Sequence, residues 1–144
     1  MTDVPARGYA IDELNVGMTA AYERVVTQAD IEAFAAVSGD HNPVHLDEDY
    51  AKTTRFKGRI AHGMLGASFI STAIASKLPG PGSVYLGQTL TFKRPVHPGE
   101  KLEARVTVAS INRERGQVTL TTQCRVGETI VIDGEATVLA PQHR

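Results

Sequence analysis

The first part of the chain carries a short segment of strand character followed by a segment of helical period. The apolar positions of residues 18–26 predict a first strand. Residues 28–38 place Ile31, Phe34 and Val37 at helical spacing, which predicts a helix with these three side chains on one face. After an irregular N-terminal stretch, we therefore expect a strand that leads into a helix.

One later segment is apolar on most sides. Residues 64–78 leave little polar face, a pattern typical of a buried helix. This helix is expected to stop before the Pro-Gly-Pro-Gly breaker at residues 79–82. Alternating or extended apolar runs after the breaker predict four more strands. They cover residues 83–96, 101–111, 118–126 and 129–139.

A strand, a helical section and four strands predict an α+β protein. We expect one curled antiparallel sheet wrapped around the helix of residues 64–78, in a single domain that spans residues 1–144. Such a sheet leaves long edges and one exposed end of the helix, and these are commonly covered by a second copy. The pattern therefore predicts at least a homodimer, and a higher homo-oligomer also fits it.

Between the two predicted helices lies a stretch that cannot continue as one helix. Gly39 suits a helix stop, because glycine adopts the left-handed conformation without steric cost. Pro43 disfavours helical geometry at the residue before it, and Asn42 is a natural N-cap. The chain is expected to restart at Pro43 as a short helix that reaches about Lys52.

This joint places a carboxylate and an imidazole five positions apart. Asp40 lies between the two helices, and His45 lies in the first turn of the second. The positive end of a helix dipole disfavours imidazolium, so His45 could stay neutral and accept a proton while Asp40 orients it and a shared water. In the alternative interpretation the joint is only a capped turn, with His45 covering apolar surface.

Composition argues against several classes of function. A net charge of -1 without a basic cluster gives no electrostatic footprint for nucleic acid. The sequence has no apolar run that would span a membrane or serve as a signal peptide. The single cysteine, Cys124, lies in a predicted strand, as expected of a packed thiol in a reducing compartment. We expect a cytoplasmic protein without nucleic-acid or membrane partners.

Several ordered motifs resemble one enzyme family. The run Ser-Gly-Asp-His-Asn-Pro-Val-His at residues 38–45 is similar to the signature of the MaoC-like (R)-specific enoyl-CoA hydratases, also called hydratase 2. The resemblance continues through residues 60–65, 82–88 and 92–99, and covers about residues 20–140. It is strongest to the short, single-domain bacterial type that supplies monomers for polyhydroxyalkanoate synthesis.

The resemblance implies a hot-dog fold and a dimer with active sites near the subunit interface. It implies reversible syn hydration of trans-2-enoyl-CoA to (R)-3-hydroxyacyl-CoA, without a metal or other cofactor, since coenzyme A is part of the substrate. By motif position, Asp40 and His45 are the catalytic pair. Gly63 supplies an oxyanion-hole N–H, and Ser71 supports the catalytic carboxylate.

Helix chemistry agrees with the role implied for Gly63. Hydration places negative charge on the thioester oxygen, and the first N–H groups of a helix have no partner within it. Glycine at the helix start would let a ligand approach the backbone at the positive end of the dipole. The structural alternatives are that Gly63 only permits tight packing and that Ser71 only bonds the carbonyl of the preceding turn.

The other histidines raise the question of a metal site. His41 and His62 could join Asp40 and His45, but an irregular stretch separates His62 from the others and no CxxC or HExxH spacing occurs. We therefore expect no metal. The last two histidines are expected to face solvent: His97 and His143.

Positive charges near the motifs are candidates for the phosphates of coenzyme A, although each could equally be solvated surface. These residues are Arg55, Lys57, Arg59, Lys93 and Arg94. Ile74 and its apolar neighbours could limit the acyl chain.

Two other functions stay open on this fold. One is an acyl-CoA thioesterase, which would attack the carbonyl carbon rather than C3. The other is a non-catalytic acyl-CoA-binding module. Hot-dog thioesterases lack the Asp-x-Asn-Pro-x-His motif, and an intact pair of Asp40 and His45 argues against a module that only binds.

Overall fold

A computed structural model describes residues 7–142 of the chain. These residues form five strands, which are β1 (Thr19–Val25), β2 (Val84–Phe92), β3 (Lys101–Asn112), β4 (Gln117–Val126) and β5 (Thr129–Leu139). They also form four α-helices, which are α1 (Gln28–Ser38), α2 (Pro43–Leu46), α3 (Glu48–Lys52) and α4 (Gly63–Ser76). The predicted order of a strand, a helical section and four strands is confirmed.

All five strands join one antiparallel sheet with the order β1-β3-β4-β5-β2. The register shifts in three of the four strand pairs, within the β2–β5, β3–β4 and β4–β5 ladders. Such irregularities bend a strand and increase its twist. The resulting sheet lies against α4, which contacts all five strands. The predicted curled sheet around a long helix is therefore confirmed.

The core lies between α4 and the concave face of the sheet. Seven α4 residues are buried: Leu65, Gly66, Ala67, Phe69, Ile70, Ala73 and Ile74. Gly66 allows close contact with the sheet, because a Cβ there would lie 2.8 Å from Cδ1 of Ile132. Cys124 is also buried in this core, and burial raises the pKa of its thiol to about 12. The expectation of a packed thiol is confirmed.

The opposite side of α4 is less buried than its composition predicts. Met64 is 55% exposed, and Ser68 and Ala75 are exposed as well. The helix also ends at Ser76, two residues before the predicted end, because Lys77 leaves helical geometry with φ -130° and ψ -49°. One face of α4 is thus open in the single chain.

Two details of the helical section differ from the sequence expectation. Ile31 is buried on α1, but Val37 is 83% exposed. Three residues of an α-helix fall about 60° short of a full turn, so two such steps place Val37 about 120° away from Ile31 and off the apolar face. The single helix expected after Pro43 is divided into α2 and α3. Asp47 adopts φ -114° and ψ 106° and caps α3 by accepting a hydrogen bond from the Tyr50 N–H.

Both His97 and His143 are predicted to face solvent, and the structure tests only the first of these predictions. His97 is half-buried rather than solvent-facing, and its Nε2–H donates to the Phe56 carbonyl at 3.3 Å. His143 lies outside the described residues. Over residues 7–142, no helix is both long and apolar enough to cross a membrane.

Candidate active site

The joint between α1 and α2 has the predicted local structure. Gly39 ends α1 in the left-handed conformation at φ 81°, and Pro43 begins α2. The Asn42 side chain caps α2 by accepting a hydrogen bond from the Val44 N–H at 3.2 Å. The Asp40 carboxylate accepts a hydrogen bond from the Asn42 N–H at 3.2 Å and remains exposed. This arrangement leaves Asp40 with an accessible carboxylate on a fixed backbone.

His45 is 8% exposed and has one ring nitrogen tied to the backbone. Its Nδ1 lies 2.7 Å from the carbonyl oxygen of Ile60. Since a carbonyl oxygen only accepts, Nδ1 carries the hydrogen, and Nε2 of the neutral ring is a free lone pair. The backbone carbonyl of His45 accepts a hydrogen bond from Nε2 of Gln28 at 3.1 Å, which connects His45 to α1. His45 is thus oriented as a base through Nε2.

Burial lowers the pKa of His45, and the nearby His62 lowers it further. The hydrogen bond to the Ile60 carbonyl and the charge of Asp40 oppose this shift. The dipole of the second helix is the cause that the sequence predicts for a neutral ring. In the structure burial is the first cause of the lowered pKa of His45, and α2 is only four residues long.

His62, set aside in the sequence analysis, lies directly against this pair. Its ring stacks on that of His45 with centroids 3.9 Å apart and planes inclined by 28°. Its Nε2–H donates to the backbone carbonyl of Asp40 at 3.0 Å. The expectation that His62 is separate is wrong, because residues 53–61 fold back and the Ile60 N–H bonds the Val44 carbonyl. Its position next to Gly63 was the available sequence signal.

Asp40, His45 and His62 are also the one group of metal-ligating side chains found close together in residues 7–142. One carboxylate oxygen and one nitrogen from each ring lie within 4.8 Å of one another. One nitrogen of each ring is already committed to a carbonyl. Three protein ligands would fit an open catalytic zinc site. The expectation that no metal is used therefore stays a prediction.

Gly63 is the first residue of α4 and lines a cavity of about 400 Å³. The walls are mainly apolar, and Arg55, Lys93 and Arg94 also line them. A Cβ at Gly63 would lie 2.7 Å from two ring carbons of Phe92, so there is little room for a side chain. His62 lines this cavity, whereas neither Asp40 nor His45 is part of its wall.

Ser71 lies two turns further along α4, away from this cavity. It lines a second, more open cavity of about 590 Å³, together with Tyr85 and Gln88. Within residues 7–142, the Ser71 hydroxyl forms no hydrogen bond to Asp40. The single chain therefore brings Asp40 and His45 together at the start of α4 but not Ser71, whose role stays a prediction.

Comparison with known proteins assigns the chain to a family. The model of the MaoC like domain matches residues 13–129. An (R)-specific enoyl-CoA hydratase of Rhodospirillum rubrum is 47% identical over 130 residues, which cover 90% of each chain.

Solved structures agree with this match. R-hydratase PhaJ1 from Pseudomonas aeruginosa superposes with a TM-score of 0.90 at 47% identity, covering 94% of this chain and 88% of that chain. The (R)-hydratase from A. caviae involved in PHA biosynthesis superposes with a TM-score of 0.87 at 43% identity, covering 89% and 98%. The predicted hot-dog fold is confirmed by these neighbours. The chain belongs to the MaoC-like domain family.

Proposed function

We propose that this protein is an (R)-specific enoyl-CoA hydratase, which adds water reversibly and syn across the double bond of trans-2-enoyl-CoA. The observation that carries the proposal is the buried His45, with Nδ1–H bound to Ile60 and Nε2 free, beside the Asp40 carboxylate and the start of α4. The relatives from R. rubrum and A. caviae, named as (R)-specific enoyl-CoA hydratases, support the same activity.

In the proposed mechanism, Asp40 and His45 hold one water. Its oxygen forms the bond to C3, and one of its protons passes to the pair while C2 receives a proton on the same face. The negative charge displaced from the double bond develops on the thioester oxygen, which accepts a hydrogen bond from the Gly63 N–H at the start of α4. Losing one such donor costs about 2.7–4 kcal/mol of transition-state stabilisation.

We propose that the cavity beside Gly63 receives the acyl chain and the coenzyme A portion of the substrate, while the double bond lies at its edge, between Gly63 and the pair of Asp40 and His45, which are not part of its wall. Its apolar wall suits the acyl chain, while Arg55, Lys93 and Arg94 suit the phosphates of coenzyme A. In the described part of the chain, none of these three cations forms an ion pair with a carboxylate. Arg59 is less suited, because its Nε already lies 3.7 Å from Glu48.

The proposed assembly is a homodimer formed through the β2 edge, and a higher homo-oligomer could be built from it. Four large apolar side chains on this edge are exposed in the single chain: Val84, Tyr85, Leu86 and Phe92. The opposite edge at β1 carries ion pairs of Glu23 with Lys101 and of Arg24 with Asp30. Exposed apolar edges favour pairing, whereas charged edges oppose it.

The same interface would extend to the open face of α4. Met64 and Ser71 share the second cavity with Tyr85 and Leu86 of β2. A partner seated on β2 would therefore cover Ser71, in agreement with active sites near the subunit interface. The catalytic contribution of Ser71 is proposed to depend on this assembly.

We further propose that the whole chain acts as one cytoplasmic domain that needs no metal or other cofactor. The buried Cys124 thiol suits a reducing compartment. The (R)-hydratase from A. caviae is involved in PHA biosynthesis, which supports supply of polyhydroxyalkanoate monomers as the pathway of this protein. A chelator should leave the activity unchanged, and loss of activity that added metal restores would contradict the metal-free mechanism.

The proposed function is tested with crotonyl-CoA. Hydration removes the enoyl absorbance without releasing free thiol. A thioesterase on this fold would release coenzyme A, and a module that only binds would cause neither change. Release of thiol at the rate of absorbance loss, or no turnover, would contradict the proposal.

A further inference from the structure

We infer that His62 is a positioning residue that holds the His45 ring and the Asp40 joint against the start of α4. This inference rests on the proposed hydratase function. His62 occupies the N-cap position of α4 but does not use its side chain to cap that helix. It instead bonds across 22 positions to the Asp40 carbonyl. One residue therefore links the joint, the imidazole and Gly63.

The contacts of His62 fix its ring tightly. The side chain is 3% exposed, stacks on His45 at 3.9 Å and also contacts the Phe34 ring, with centroids 4.8 Å apart. Because Nε2 carries the hydrogen that Asp40 accepts, Nδ1 of the neutral ring is an acceptor. This Nδ1 is buried and has no hydrogen-bond partner within residues 7–142. A buried polar atom without a partner costs stability, and an aliphatic or aromatic side chain would avoid that cost.

The stacked ring has two consequences for catalysis. It occupies the volume beside His45 that water would otherwise fill, so it helps to keep that imidazole neutral. The titratable groups that act on His45 in the described chain are Asp40 and His62. Its bond to the Asp40 carbonyl also fixes the backbone that carries the catalytic carboxylate. A shift of about 1 Å in such a group can cost about 10²-fold in rate.

Two substitutions separate these contributions. His62→Ala removes both the ring and the donor, whereas His62→Phe keeps a flat ring against His45 and removes only the donor. Tyr50→Ala is the control, because it removes an aromatic ring that is 47% exposed on α3, outside the joint. Steady-state hydration of crotonyl-CoA is measured from acid to alkaline pH, per folded protein.

We expect His62→Ala to lower kcat by about 10²-fold with little change in KM. Its acid limb should move to higher pH, since a more hydrated His45 binds its proton more readily. His62→Phe should return the acid limb most of the way toward that of the wild type, because it keeps His45 buried but lacks the charge effect of His62, and it should restore only part of kcat. Tyr50→Ala should behave as the wild type.

A different set of results would overturn the inference. If both His62 variants lose stability but keep the kcat and pH profile of the wild type per folded molecule, His62 is structural. Unfolding of both variants leads to the same conclusion. Absence of hydration by the wild type would contradict the proposed function itself and is recognised before any variant is compared.

Discussion

At the residue scale, the chemistry depends on which nitrogen of His45 carries a proton. The Ile60 carbonyl accepts a hydrogen bond from Nδ1–H, which leaves Nε2 as the proposed base. Within residues 7–142, the Asp40 carboxylate accepts a hydrogen bond only from the nearby Asn42 N–H. Asp40 and His45 thus differ in the chemistry they can perform. Asn and Gln, respectively, can replace them with little change in side-chain volume.

Asp40→Asn and His45→Gln should each lower kcat by about 10²–10⁴-fold, the usual contribution of a positioned acid or base. The matched control is Asp49→Asn, which changes an exposed carboxylate on α3 and should retain full activity. Rates of crotonyl-CoA hydration are compared at equal concentrations of folded protein. An active Asp40→Asn variant would contradict the mechanism.

The lowered pKa of His45 gives a pH dependence with a defined sign. The base acts in its neutral form, so the acid limb of kcat/KM should lie below pH 6.5, the usual pKa of histidine. Unfolding frees His45 to bind a proton more readily, so its contribution to stability should fall as pH drops below 6.5. The acid limb is measured from kcat/KM at several pH values, and the stability from denaturant titrations at the same pH values, with His45→Gln as the reference for stability. An acid limb above pH 6.5 would contradict the burial argument.

The local part of this site could be predicted from the sequence, and the rest could not. Gly39, Asn42 and Pro43 determine the joint through their own backbone preferences, which do not depend on distant residues. The contact of His62 with His45 depends on how residues 53–61 fold back, and no periodic pattern encodes that path. The motif next to Gly63 indicated that the region matters but not which neighbour it meets.

At the scale of elements, α4 supplies much of the core and, at Gly63, the proposed oxyanion donor. Its apolar residues predicted its existence, but its end at Ser76 depends on the geometry of Lys77. The short helix after Pro43 was predicted without the break at Asp47, because that residue's side chain caps a new helix. Most strand positions followed from the apolar pattern, although β2 ends at Phe92 rather than at residue 96. The register shifts in three of the ladders have no such periodic signal in the sequence.

Gly63→Ala tests the start of α4. The added methyl group meets the Phe92 ring at 2.7 Å, and because this ring is 49% exposed and can turn aside, we expect a loss of about 1 kcal/mol in unfolding free energy. The methyl group should also keep the thioester oxygen from the N–H and lower kcat/KM by about 10²-fold. Denaturant unfolding and hydration kinetics measure the two effects.

The double variant Gly63→Ala with Phe92→Ala separates the effect on stability from the effect on activity. Removing the ring should relieve the clash and return part of the lost unfolding free energy, relative to Phe92→Ala alone. Activity should stay well below that of Phe92→Ala alone, because the methyl group still lies at the helix start. Recovery of activity together with stability would mean that Gly63 serves packing only.

At the scale of the whole molecule, the two edges of the sheet differ in character. The β2 edge exposes apolar side chains, and the open face of α4 lies beside it. The sequence predicted that an edge would be covered but not which one, because both edge strands contain apolar residues. The sheet order, with β1 and β2 at the edges, makes the difference visible.

Leu86→Glu should convert the dimer to the mass of a single chain in sedimentation velocity, because charges would meet across a paired edge. Its hydration activity should fall as the dimer is lost. Val37→Glu is the control, since Val37 is 83% exposed on α1 and lies outside the proposed interface. A monomeric wild type, or a Leu86→Glu variant that stays dimeric, would contradict assembly through β2.

Chiral analysis of the product formed from crotonyl-CoA tests the central claim most directly, because it reports the reaction and the face of water addition together. A water held by Asp40 and His45 on one side of the substrate predicts a single enantiomer, and the relatives named (R)-specific enoyl-CoA hydratases indicate that it is (R)-3-hydroxybutyryl-CoA. Formation of the (S)-product, of a racemate or of free coenzyme A would contradict it.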